Sequence, residues 1–279
     1  MEYQLIPEEG IDLQADSLTL AETPQYLTER KYDGRFLVVR ESYFEPSGEP
    51  YYQSQGYAAI SKDYNRAGRI VKQSYYDGDG EPVIIKSGYA SFTRKYNRQG
   101  RLWKESYFDE NGDPCTLKEG YAAFEREYDR KGNITVLRYL DGTGRPVITT
   151  SGYAETRRSY DKEERLREQS YYDAGGANVL LPDGYWMEKR EYDEAGNVAI
   201  QRYYDTSGQP VITAMGYAEI HKEYNEKKKV VLEEYFGVNG EPIALPGGTA
   251  SQRIEYGSNG KVSARHYYDL NGEEITPES

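Results

Sequence analysis

Residues 56–87 read GYAAISKDYNRAGRIVKQSYYDGDGEPVIIKS, and residues 88–119 follow as GYASFTRKYNRQGRLWKESYFDENGDPCTLKE. The two stretches align without a gap, and the same unit recurs along the rest of the chain. Gly-Tyr-Ala begins at Gly56, Gly88, Gly120, Gly152 and Gly216, with Gly-Tyr-Trp at Gly184 and Gly-Thr-Ala at Gly248. A strict period of 32 residues marks a chain of like supersecondary units rather than a globule around one core. A degenerate unit comes first, because Tyr32, Tyr43, Gly48 and Pro50 precede Tyr64, Tyr75, Gly80 and Pro82 by one period. The organisation expected is an N-terminal cap over residues 1–24 and eight tandem repeats over residues 25–279, the first and last degenerate.

Turn chemistry predicts the local structure. Each unit holds two copies of aromatic-[Asp/Asn]-x-x-Gly, such as Tyr64–Gly68 and Tyr76–Gly80. A short Asp or Asn accepts from a backbone N–H two residues on, and Gly takes the left-handed conformation that closes the loop. Together they specify a tight hairpin with a bulge. The Pro after the second Gly belongs at a strand entrance or edge. Runs rich in Tyr, Val, Ile, Thr and Arg lie between the turns and read as strands, about three per unit. The fold class predicted is all-β: antiparallel hairpin repeats forming an elongated solenoid or twisted ribbon. A closed seven-bladed ring is the alternative, for which 32 residues per blade is short.

Three columns of the repeat are Tyr almost throughout. The first is Tyr57, Tyr89, Tyr121, Tyr153, Tyr185 and Tyr217; the second runs from Tyr32 to Tyr256, and the third from Tyr43 to Tyr267. None has drifted to Phe, whereas the next column mixes Phe44, Tyr76, Phe108 and Leu140. A ring buried for area alone would accept Phe, so the pure columns use the hydroxyl. Two readings follow. Each phenol bonds a turn or backbone group, or the rings form an exposed row that stacks on sugars. A basic row, Arg30, Lys62, Arg94, Arg126, Arg158, Arg190 and Lys222, lies two residues before the second column and so on its face. It reads either as a cation–π or ion-pair ladder, or as a stripe that follows an acidic polymer. The candidate ligand-binding residues are therefore Tyr57, Tyr89, Tyr121, Tyr153, Tyr185 and Tyr217 with Arg94, Arg126, Arg158 and Arg190.

Composition narrows the function. Thirty Tyr stand against six Phe and two Trp, and the net charge of −12 argues against a nucleic-acid partner. No apolar run is long enough for a membrane span. The N-terminal MEYQLIPEEGIDLQ has neither a basic nor an apolar leader region, so no signal peptide is expected. A segment of a larger exported protein would read the same, which leaves localisation open, cell surface included. The single Cys115 stands where other repeats have Val and reads as a small apolar residue. The turn acids read as caps rather than calcium ligands, since no repeat supplies enough oxygens. His221 and His266 occupy different columns. With no metal, phosphate or nucleophile motif, neither an enzyme nor a cofactor is expected.

At Tyr-[Asp/Asn]-x-x-Gly-[Arg/Asn], as in Tyr64–Arg69, Tyr96–Arg101, Tyr128–Asn133 and Tyr192–Asn197, the chain resembles the YD repeats of Rhs-type and other bacterial surface proteins. At Tyr75–Gly80, Tyr171–Gly176 and Tyr203–Gly208 it is also similar to the hairpins of choline- and glucan-binding cell-wall repeats. It departs from both in its longer unit, and from the choline binders in having two Trp. The resemblance implies a bacterial, cell-surface or glycan-associated β-repeat of the kind often appended to a glycan enzyme or a toxin. The function expected is a non-enzymatic module that binds a cell-surface or cell-wall polysaccharide multivalently. A structural spacer or protein-interaction scaffold, with tyrosines used for packing, is the alternative.

Overall fold

The structure is a computed structural model that describes residues 26–277 and the backbone of residues 3–5. Apart from those three residues, the cap expected over residues 1–24 lies outside the described residues. The described chain is all-β, with no helix. It divides into two compact units, Met1–Glu125 with Tyr139–Arg145, and Arg126–Arg138 with Pro146–Ser279.

In the first unit β1 (Tyr3–Leu5) pairs with β2 (Leu27–Tyr32). An antiparallel meander follows through β3 (Val38–Phe44), β4 (Ala59–Tyr64), β5 (Ile70–Tyr76), β6 (Ser91–Tyr96), β7 (Leu102–Phe108) and the start of β8 (Ala123–Tyr128). The boundary between the units runs through β8 and β9 (Ile134–Leu140). In the second unit β9 pairs with β10 (Glu155–Tyr160). The meander then runs through β11 (Leu166–Tyr172), β12 (Met187–Tyr192), β13 (Val198–Tyr204), β14 (Glu219–Tyr224), β15 (Val230–Phe236), β16 (Ser251–Tyr256), β17 (Val262–Tyr268) and β18 (Glu274–Ile275).

One hairpin shows how the residues produce this. In β4–β5 the register runs from Ala59↔Tyr76 to Asp63↔Lys72, then slips to Tyr64↔Ile70, leaving Val71 as the bulged residue. Asn65 N–H bonds the Arg69 carbonyl at 2.9 Å, and Gly68 N–H bonds the Asn65 carbonyl at 3.0 Å. Gly68 has φ +75°, and the Asn65 Oδ1 accepts from the Ala67 and Arg69 N–H groups at 2.9 and 3.0 Å. The bulged hairpin that the spacing predicts is therefore present in detail.

Two regular strands form per repeat where the sequence suggested about three. The segment after the second turn makes a single bridge, Tyr76↔Pro82 in this repeat and Tyr172↔Asn178 where Asn stands for Pro. It turns again at once. Ile85 N–H bonds the Tyr89 carbonyl at 3.0 Å and Gly88 N–H bonds the Ile85 carbonyl at 2.8 Å. In four repeats this third turn begins on a buried apolar residue or Thr (Ile85, Leu117, Thr149, Thr213), so there it lacks the Asp that announces the other two.

Successive hairpins meet through only three paired residues, as in Lys72↔Thr93, Gln73↔Phe92 and Ser74↔Ser91. The Ala of Gly-Tyr-Ala closes the junction. Ala90 accepts from Tyr75 N–H at 2.9 Å and donates to the Phe108 carbonyl at 2.8 Å. Ala58, Ala90, Ala122, Ala154 and Ala218 are at most 3% exposed. Trp186 makes the same two backbone bonds in its repeat, at 3.2 and 2.8 Å, so the junction does not depend on a small side chain.

Candidate functional site: the tyrosine ladder and the basic row

Pairs such as Ile60↔Tyr75 and Lys62↔Gln73 place the second and third tyrosine columns, the basic row and an acid-or-amide row on one face of each hairpin. The second column staples one repeat to the one before it. Tyr64 donates its hydroxyl to the Val38 carbonyl at 2.7 Å, Tyr96 to Ile70 at 2.8 Å, Tyr192 to Leu166 at 2.6 Å and Tyr256 to Val230 at 2.8 Å. Tyr160 and Tyr224 do the same to Ile134 and Val198. In each case the acceptor lies 26 residues back, in the preceding hairpin. Phe would leave that carbonyl without its partner, which accounts for the purity of the column.

Five members of the third column, Tyr43, Tyr75, Tyr107, Tyr171 and Tyr235, bond the residue two places before them. Tyr43 donates to Glu41 at 2.9 Å and Tyr107 to Glu105 at 2.8 Å, while Gln73 donates to the Tyr75 oxygen at 2.8 Å. Gln169 donates to Tyr171 in the same way. Tyr43, Tyr75, Tyr107, Tyr171 and Tyr203 are buried. Burial first, and the Glu41 charge second, push the Tyr43 phenol well above its ordinary value. Tyr107 is raised for the same two reasons, with Glu105 as the charge.

The first column, singled out for ligand stacking, packs between members of the third. In the first unit Tyr43, Tyr57, Tyr75, Tyr89, Tyr107, Tyr121 and Tyr139 form a continuous series, with centroid separations between 4.7 and 6.1 Å. In the second unit Tyr153, Tyr171, Tyr185, Tyr203, Tyr217 and Tyr235 continue the pattern. Most of these pairs are edge-on or tilted, the arrangement that the ring quadrupole favours. Tyr217 is buried and the other five first-column rings are half-buried.

The candidate basic residues are threaded through this face. Arg94 Nε bonds Glu105 Oε2 at 2.6 Å, and its guanidinium lies 4.3 Å from the Phe92 ring centre. Arg158 donates to Gln169 at 2.7 Å, and Arg190 pairs with the buried Glu188 at 2.6 Å. Arg126 is half-buried and engaged. The row is thus an ion-pair and amide ladder, with Arg94 and Arg190 side chains 31% and 30% exposed.

The turn acids cap loops. Asp141 Oδ1 accepts from the Thr143 and Arg145 N–H groups at 2.8 and 2.9 Å. The Arg145 N–H and then the Thr143 hydroxyl hold its carboxyl below the usual carboxylate range. Among the described residues no group of three or more His, Cys, Asp or Glu is placed to hold a metal. His221 is bonded to Glu219, and His266 lies 2.7 Å from Glu274; neither joins a nucleophile. A cavity of about 270 Å³ between two successive turns is lined by Asn225, Lys227, Lys229, Tyr256 and Gly260, turn residues that form no catalytic set. Cys115, half-buried, directs its Sγ to the Gly88 carbonyl at 3.6 Å.

The residue after the first turn glycine has a role that the motif shows only as Arg or Asn. Where it is cationic it reaches to the next turn. Arg165 lies 4.5 Å from the Tyr192 ring centre, Lys229 lies 4.9 Å from Tyr256 and also bonds the Gly260 carbonyl, and Arg69 lies 5.9 Å from Tyr96. Where it is Asn it folds back on its own turn, as Asn133 and Asn197 bond Asp129 and Asp193. Alternation of long cation and short amide at one column was the available signal.

No protein-family model matches the chain, and no curated protein matches it. Solved structures do. A chain of the Photorhabdus luminescens Tc holotoxin pore matches at 12% identity with a TM-score of 0.35, over 88% of this chain and 13% of that one. A TcdB2-TccC3-TEV structure matches at 12% identity and 0.38, over 91% of this chain and 15% of that one. TcdB2-TccC3 without its hypervariable C-terminal region gives 12% and 0.38, over 90% and 14%. The chain therefore spans about one-seventh of the length of the solved chains it resembles.

Proposed function

We propose that this chain is a structural β-repeat module, a non-enzymatic scaffold in which tyrosine is the joint between units. One observation carries the reading. The phenols that the sequence holds constant are spent inside the repeat array: the second column on carbonyls of the preceding hairpin and the third on the acid-or-amide row, with the first column locked between rings. Such an array serves as a spacer or as a surface on which other protein segments dock.

A second reading retains a bacterial glycan or cell-wall polymer as ligand. It is favoured by the partial exposure of Tyr57, Tyr89, Tyr121, Tyr153 and Tyr185 and of Arg94 and Arg190, each about one-third exposed. Glycan-array and pull-down binding of the full chain and of its Tyr121→Phe, Tyr153→Phe double variant separates the two. The scaffold reading expects no glycan to bind and a lowered melting temperature in the variant. Saccharide binding that weakens in the variant while its melting temperature holds would establish the ligand reading instead.

A further inference from the structure

From Asp33 to Asn225, each first turn of the repeat opens on Asp or Asn. In all seven the side-chain oxygen of that residue accepts the N–H four residues on. In five it also accepts the N–H two residues on. The next first turn opens on Gly257 and has no such oxygen. Asn259 repairs half of the loss. Its Oδ1 takes the Lys261 N–H at 2.9 Å and lies 3.3 Å from where a Cβ on Gly257 would stand. The Asn259 N–H itself meets no acceptor among the described residues.

The same chain shows what replaces a missing cap. Gly237 makes the same deletion in a second turn, and there Glu241 folds its carboxylate into the place of the absent side chain. The Glu241 Oε2 accepts the Asn239 N–H at 2.9 Å. In the Gly257 turn the corresponding residue is Lys261, which brings no oxygen.

Gly257 also lines the cavity of about 270 Å³ between this turn and the one before it. The two turns carry Lys227, Lys228, Lys229 and Lys261 against the single acid Glu226, in a chain whose net charge is −12. Lys227, Lys229 and Glu226 all line the cavity. Lys229 is anchored on the Gly260 carbonyl and beside the Tyr256 ring. Lys227 is exposed and makes no ion pair among the described residues. The turns at 65–69 and 97–101 are as basic, but Asn65 and Asn97 cap both. Among the described first turns, excess cation and a missing acceptor coincide at Gly257. The volume bounds the ligand, since drug-sized molecules occupy about 300–1,000 Å³ and this cavity is smaller.

We propose that the Gly257 turn binds a small oxyanion, a carboxylate or a phosphate. Its oxygen takes the place of the absent cap on the Asn259 N–H, and Lys227 and Lys229 balance its charge. The site goes beyond the scaffold reading and does not depend on it.

The test follows the amide spectrum of the full ¹⁵N-labelled chain as sodium phosphate or sodium acetate is added, against sodium chloride at equal ionic strength. The Asn259 amide moves saturably, with a Kd on the order of millimolar, for at least one of the two anions. The tighter anion gives the ligand class. The Gln99 amide, already bonded to Asn97 at 3.0 Å, stays in place. Lys227→Gln weakens binding about threefold, and Glu226→Gln strengthens it by a similar factor. Gly257→Asp supplies the cap from within, so that the Asn259 amide no longer responds. That variant is expected to fold, because Gly257 is not left-handed and a Cβ there meets first the end of the Asn259 side chain. The proposal is overturned if neither anion moves the Asn259 amide more than the Gln99 amide, if the shift grows without saturating, or if Gly257→Asp responds as the wild type does.

Discussion

Tyr107 and Phe108 are chain neighbours that obey different rules, and the difference lies in one oxygen. The Tyr107 hydroxyl donates to Glu105, an 8%-exposed carboxylate that also holds Arg94. Tyr107→Phe removes a donor from a buried acceptor without removing the acceptor, so a loss of about 1–3 kcal/mol is expected in denaturant unfolding. Phe108→Tyr is expected to fall within about 0.5 kcal/mol of wild type, because Tyr172 in the same column finds the Ser170 hydroxyl at 3.1 Å and Ser106 stands in the equivalent place. Equal costs for the two variants would show that the phenol contributes only ring area. The need for a hydroxyl was legible from the columns alone, since none drifted to Phe. Which atom each hydroxyl meets was not legible, because the acceptor of the second column lies in another hairpin, 26 residues away, outside any turn motif.

Hairpins carry the next level of the argument, through the left-handed residue that closes each first turn. Gly68, Gly100 and Gly196 fill it with φ between +75° and +83°. Phe36, Glu164 and Lys228 fill it with φ of 62°, 67° and 57°. A non-glycine residue there costs roughly 1–2 kcal/mol, and Phe36, 88% exposed, recovers little by packing. Phe36→Gly and Lys228→Gly are therefore each expected to stabilise the chain by about 1 kcal/mol, measured by thermal or denaturant unfolding. Loss of stability in both would mean that these side chains make contacts outweighing the strain. Asn65→Ala, which deletes the acceptor of two backbone N–H groups, is expected to cost about 1 kcal/mol. The two Asp- or Asn-led turns were plain in the sequence because their chemistry is local. The third turn was not, since it opens on residues such as Ile85 and Leu117 that carry no turn signature, and a bridge of one pair, with Pro82 or with Asn178, stands where a third strand was expected. The forward reach of Arg165 and Lys229 was hidden for a related reason: a periodic sequence shows that a column matters before it shows which neighbouring repeat the side chain touches.

Across the whole chain, the two groups that make the repeat work titrate at opposite ends of the pH scale. The turn aspartates Asp141, Asp193 and Asp205 are held below the ordinary carboxylate value, Asp141 chiefly by the Arg145 N–H, Asp193 by the Asn197 amide and Asp205 by the Ser207 hydroxyl. Their contribution is present above the unfolded value of about 3.9 and disappears as pH falls through the lower folded value, because the unfolded chain then binds more protons. The buried phenols Tyr43, Tyr75, Tyr107, Tyr203 and Tyr235 are raised, in every case by burial first. Their contribution is intact below the unfolded value of about 10. It declines as pH climbs above that, since the unfolded chain releases phenol protons that the folded chain retains. A plateau of melting temperature from about pH 5 to pH 9 is expected, with a fall on each side. The alkaline side is the more diagnostic. Tyrosinate absorbance and the far-ultraviolet β signal should change together, in a transition steeper than the titration of a single phenol, because opening one joint exposes the rings of the next. Tyrosinate absorbance that rises smoothly from the ordinary phenol value while the β signal holds would show that solvent reaches these hydroxyls in the folded chain, and the ladder could not then be what joins the repeats.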